Sequence, residues 1–189
     1  AIFESAGVPV LKWKRDVWRA YRQCIVLWLD RHRAGTIWRD GAAEDMYENF
    51  GGKATPAKFS RWLKVPVREA MRRIHAFDRA HPPTLPALVA FLHERRTALG
   101  EEQATLVTLI QYLDDSLATS FNDIIDQATG TTRGQEHMRI FDATFAEARI
   151  TLADKDHGDK AYDSLFEIEG LGIHVDALNL TASLPARKK

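Results

Sequence analysis

TPAKFSRWLKVPVREAMRRIHAFDR, residues Thr55–Arg79, is the stretch on which the reading of this sequence turns. Thr55 can cap a helix with its hydroxyl, and Pro56 suits the first helical position, where no N–H is needed. Phe59, Trp62 and Leu63 follow at i, i+3 and i+4, one apolar stripe. Pro66 lacks an N–H and restricts Val65, so the sequence predicts a tight turn at Lys64-Val65-Pro66. Beyond it Val67, Ala70, Met71, Ile74 and Phe77 share a second apolar face. At about 100° per residue, Arg68, Arg72, His75 and Arg79 fall within a sector of roughly 60° beside that face. A helix held by its oily side and cationic along another is suited to phosphates and base edges. The expectation is a helix-turn-helix at 55–79. Arg68, Arg72, His75 and Arg79 would face the groove, and Lys53, Lys58, Arg61 and Lys64 would hold phosphates. The plainer reading of the same residues is an αα-hairpin with a solvated basic face.

Pro66 to Ile74, PVREAMRRI, resembles the recognition-helix segment of the GntR family of winged-helix repressors. The resemblance implies a helix turned towards DNA. It is local: the polar residues that family carries ahead of this run are missing, and His81-Pro82-Pro83 stands where a glycine-rich wing would follow.

Charge supports a polyanion partner. The chain is neutral as a whole, with 26 Lys and Arg against 26 Asp and Glu. Residues 1–100 nevertheless hold 18 cations and 10 acids, a balance of +8, and residues 101–189 hold 8 and 16, a balance of −8. Between Lys53 and Arg79 there are 8 cations and 2 acids. Such asymmetry points the first half at nucleic acid and the second away from it, or else pairs the two halves with each other.

Elsewhere the spacing of apolar residues predicts helices. Trp13, Val17, Tyr21, Cys24 and Trp28 recur at three or four, a seam for one helix from Leu11 to about Arg33. A short helix is expected over Ala42 to Phe50. His81-Pro82-Pro83-Thr84-Leu85-Pro86 makes a stiff break, and Pro86 to Leu99, closed by Gly100, reads as a helix. Leu106, Ile110, Leu113, Leu117, Phe121 and Ile124 predict the longest helix, Glu101 to about Ala128. After Gly130, a capping box of Thr132 with Gln135 opens another that runs to about Ala153. The sequence also allows a small β-hairpin near 166–176, then a mobile basic tail over 181–189.

The fold class expected is therefore all-α. A basic helical domain over 1–80 would be joined by a connector at 81–86 to an acidic helical bundle over 87–180, which could serve a homodimer. The function expected is DNA binding, by a regulator of transcription or of a mobile element, with DNA ahead of RNA as partner. The alternative is a helical adaptor or inhibitor whose basic half docks an acidic protein or RNA surface. No phosphate loop, nucleophile elbow or zinc-helix motif occurs, the seven histidines are scattered, and Asp154 to Asp159 fails the calcium-loop pattern. No catalytic motif, cofactor or metal is expected, and an enzyme would need a site assembled from distant residues across the crevice between the two domains. A single cysteine, Cys24, fits core packing and a reducing cytoplasm, and no run is apolar enough for a membrane.

Overall fold

The computed structural model describes residues 9–24, 35–44, 47, 55–101, 104–153, 162–164, 167–170, 173–176 and 181–183. The all-α expectation is overturned: the chain is a mixed α/β protein built on antiparallel sheets. In chain order the elements begin with β1 (Val10–Asp16), β2 (Gly35–Trp38) and β3 (Gly41–Glu44). Then come the helices α1 (Thr55–Ala80) and α2 (Pro86–Leu99). They are followed by β4 (Val107–Tyr112), β5 (Asp115–Phe121), β6 (Ile124–Asp126), β7 (Thr131–Thr132) and α3 (Arg133–Glu147). Four short strands end the order, β8 (Tyr162–Ser164), β9 (Glu167–Gly170), β10 (Ile173–Asp176) and β11 (Thr181–Ser183).

The central sheet has the order β4-β5-β1-β8, with β1 antiparallel to β5 from Val10 opposite Phe121 to Asp16 opposite Asp115. Its register sorts the side chains. Leu11, Trp13, Ala118, Ser120 and Val107 share the face that meets α1 and α3. There they pack with Phe59, Leu63, Ala70, Ile74, Phe141 and Phe145, all buried. Trp13 meets Phe141 edge-on at 5.2 Å. The opposite face is covered at one end by α2, where Leu88 and Leu92 join Phe121 and Leu106 in a second cluster.

The helix expected over Leu11 to Arg33 is strand β1 and then a 3-10 turn at Ala20–Gln23. Leu11 and Trp13 alternate with Lys12 and Lys14, a period of two that the four-residue spacing of the aromatics overlies. Cys24 does pack against the core. The short helix over Ala42 to Phe50 begins in strand β3, and its remainder falls mostly outside the described residues.

The predicted helix over Glu101 to Ala128 is the hairpin β4–β5 followed by β6. Its inward positions on β5 are the small Ser116, Ala118 and Ser120, while Ile110 and Tyr112 stand exposed on the other face. Alternation is present in burial and hidden in hydrophobicity. Leu113 turns the hairpin at φ 50.

The helix-turn-helix is also corrected. Residues Thr55–Ala80 form one uninterrupted helix with Pro66 inside it. Both halves present the same stripe to one core, Phe59 and Leu63 before the proline and Ala70 and Ile74 after it. Burial of Phe59, Leu63 and Ile74, at about 1.5–3 kcal/mol each, outweighs the roughly 3 kcal/mol that a mid-helix proline costs. The acidic helical bundle expected over 87–180 is replaced, among the described residues, by the two helices α2 and α3 with strands between and after them.

Other expectations agree with the structure. α2 spans Pro86–Leu99 and closes at Gly100, and the chain is non-helical between α1 and α2. α3 opens on the Thr132–Gln135 capping box, though it ends earlier than expected, at Glu147. β9 and β10 pair antiparallel, Ile173 opposite Gly170, as the hairpin near 166–176 required. Thr181–Ser183 is strand β11 paired to β10 and not a tail, and residues 184–189 lie outside the described part. The same is true of the Asp154 to Asp159 loop. No described helix is long and apolar enough to cross a membrane.

Candidate nucleic-acid interface

Lys53 apart, the cations singled out from sequence stand on one helix in place of two. Around the axis of α1, Arg61, Lys64, Arg68, Arg72, His75 and Arg79 fall within about 80°, on the side away from Phe59, Leu63, Ala70 and Ile74. From Arg61 to Arg79 the row is roughly 27 Å long at 1.5 Å per residue. Arg61, Lys64, Arg68 and Arg79 are exposed and carry no ion pair among the described residues.

The other residues differ. Arg72 is exposed but its guanidinium forks onto the Glu69 carboxylate, with Nε and one terminal nitrogen each donating to an oxygen at 2.8 Å. Arg73 donates to the same Glu69 at 2.8 Å and to Glu147 of α3 at 2.7 Å. These hydrogen bonds hold the Glu69 carboxyl down to about 2. Glu69 therefore cancels part of the middle of the row. His75 is half-buried and, like Lys58, already engaged. Lys53 lies outside the described residues. Trp62 and Val65, 37% and 69% exposed, flank the row as apolar neighbours that the charge count did not flag.

A second polar cluster went unnoticed in the sequence. It sits where the end of α1 meets the start of α3. His137 Nε2 lies 2.9 Å from Asp78 Oδ1, and Nδ1 lies 3.2 Å from Ser120 Oγ, which also accepts from Trp13 Nε1 at 3.1 Å. Arg133 donates to Asp78 at 2.9 Å, to His81 C=O at 2.8 Å and, through two nitrogens, to Asp123 at 2.8 and 3.0 Å. The Leu106 N–H donates to the other Asp78 oxygen at 3.2 Å.

Ser120, His137 and Asp78 follow the order of a serine–histidine–carboxylate relay. They do not form an accessible one: Ser120 and His137 are 0% exposed, and Asp78 is also held by Arg133. The cluster ties α1, α3 and β5 together. The available signal was a polar interruption, since Asp78 continues the buried stripe of Ala70 and Ile74 at i+4. Among the described residues no group of three or more His, Cys, Asp or Glu is placed to hold a metal.

The chain matches no protein-family model and no curated protein.

Proposed function

We propose that the protein binds the phosphate backbone of nucleic acid through the exposed side of α1. The observation that supports this reading is the row of Arg61, Lys64, Arg68 and Arg79, unpaired among the described residues and opposite the core. A row of this length spans several phosphates of a duplex. The contacts are positioning contacts, indifferent to base sequence. Duplex DNA is preferred to duplex RNA, because the B-form major groove admits a helix and the A-form groove does not. Sequence reading by a helix-turn-helix has lost its motif and is not part of this proposal.

One observation favours a second reading, an adaptor for an acidic protein surface. Trp62 and Val65 stand exposed beside the cations, and an aromatic among arginines is the make-up of a protein-binding hot spot.

A salt titration with a labelled random duplex separates the two. Four phosphate contacts weaken binding by about 10²-fold between roughly 50 and 200 mM salt. Replacing Arg61, Lys64, Arg68 and Arg79 together by Ala should flatten that dependence. Absence of duplex binding at the lower salt would reject the nucleic-acid reading and leave the adaptor.

A further inference from the structure

The central sheet ends at β4, and no described strand pairs with its outer edge. The register shows which groups that edge presents. Phe121 N–H donates to Leu106 C=O at 3.1 Å, with Val107 opposite Ser120. The pairs bonded to β5 are therefore those of Thr108, Ile110 and Tyr112, and the N–H and C=O of Leu109 and Gln111 point outward. The Val107 carbonyl, also outward, is taken by Thr105 Oγ1 at 2.6 Å. Exposed edges are ordinarily blunted by a charge, a proline or a bulge. The β4 sequence VTLIQY has no charge and no proline, and its pairing with β5 runs without a shift. Its side-chain face away from α1 and α3 leaves Ile110 55% and Tyr112 58% exposed.

We infer that this edge is a self-association surface, on which β4 pairs antiparallel with β4 of a second copy, Ile110 facing its own equivalent. The register follows from which groups are open. With Ile110 on the two-fold axis, Leu109 exchanges both main-chain hydrogen bonds with Gln111 of the second copy, and the reverse, so all their outward groups are satisfied. Centring on Leu109 would set Gln111 against Val107, whose carbonyl is occupied. Centring on Gln111 would set Leu109 against Leu113, which has left the strand at φ 50.

The same register accounts for the side chains. Ile110 packs on Ile110 of the second copy in a non-hydrogen-bonded pair, where side chains come closest. Tyr112 meets Thr108 of the second copy, at the cleft that Thr108 lines with Phe91 and Arg95. The acidic turn at Asp114 reaches the start of the opposing strand, where Arg95 donates to Thr105 C=O at 3.3 Å. Signs are complementary at the ends, and nothing charged repels along the strand. Two four-stranded sheets become one.

Sedimentation of the full chain from about 1 to 100 µM, the range of an ordinary reversible dimer, should show the mass doubling. Ile110→Lys should sediment as a monomer throughout, and should melt where the wild type melts at dilutions that leave the wild type monomeric, since that side chain is solvent-facing in the monomer. In a Cys24→Ser background, Ile110→Cys should give a disulfide-linked dimer on mild oxidation, because Cα atoms about 4.5 Å apart lie within bridging range. Tyr112→Cys in that background should not cross-link, as its opposite is Thr108. A wild-type monomer at the highest concentration overturns the inference. So does a dimer that survives Ile110→Lys, or an Ile110→Cys variant that stays uncrosslinked.

Discussion

Asp78 of α1 and His137 of α3, 59 positions apart in the chain, lie 2.9 Å from each other in a site closed to solvent. One carboxylate there serves an imidazole, the Arg133 guanidinium and the Leu106 amide. Buried charges are tolerable only when so fully partnered, and removing one partner strands the rest.

Asp78→Ala should accordingly lose about 3–5 kcal/mol of stability, the usual cost of breaking a buried charged pair. The lowered midpoint of urea unfolding measures it. A loss below about 1 kcal/mol, the range of an exposed pair, would show that the cluster is not what joins the two helices.

Acid should act through the same residue. Burial pushes the Asp78 carboxyl up, but the hydrogen bond from His137 and the Arg133 guanidinium outweigh it, so the group sits below its ordinary 3.8. A depressed carboxylate contributes stability that is complete above its unfolded value and is lost as pH falls through the folded one. The wild type should therefore lose stability below about pH 4 more steeply than Asp78→Asn, which has no such titration. Parallel stability curves for the two proteins would refute this.

Gly134, in the first turn of α3, is buried against β1. A Cβ there would come 2.9 Å from Leu11 Cβ and 2.9 Å from Asn122 Oδ1. Gly134→Ala should cost about 1–3 kcal/mol by overpacking, despite the gain of up to about 1 kcal/mol in helix propensity. A thermal melt at or above the wild-type temperature would show that α3 shifts freely on β1.

Glu69 offers a test in the opposite direction. It neutralises Arg72 and shares Arg73 with Glu147 on the exposed side of α1. If that side meets phosphates, Glu69→Gln should tighten duplex binding and steepen its salt dependence by about 0.9 per cation released. Stability should move by no more than about 0.5 kcal/mol, as for most surface changes. Weaker binding would mean that Glu69 positions the arginines and does not mask them.

The sequence carried its helices more openly than its strands. α2 and α3 are marked by Pro86, Gly100 and the Thr132–Gln135 box, which are local chemistry and act wherever they occur. β5 is legible only from its partners. Its core positions are Ser116, Ala118 and Ser120, chosen because helices pack closely over them, and its apolar Leu117 lies on the other face. Hydrophobicity alone then traces a false helical period. Pro66 misled for a related reason, since the burial that holds α1 together across it is tertiary. On α1 the helical spacing sets Arg68, Arg72, His75 and Arg79 on one side, while the neutralising grip of Glu69 depends on side-chain geometry that spacing does not specify.

The pairing of β1 with β5 also sets a timetable. Trp13 must wait for Ser120, 107 positions later, before its indole finds its partner. At about 5–20 residues per second of synthesis, that is a delay on the order of 10 s. Until β5 is made, β1 lacks the strand that pairs with it from Val10 to Asp16, and this part of the core waits open.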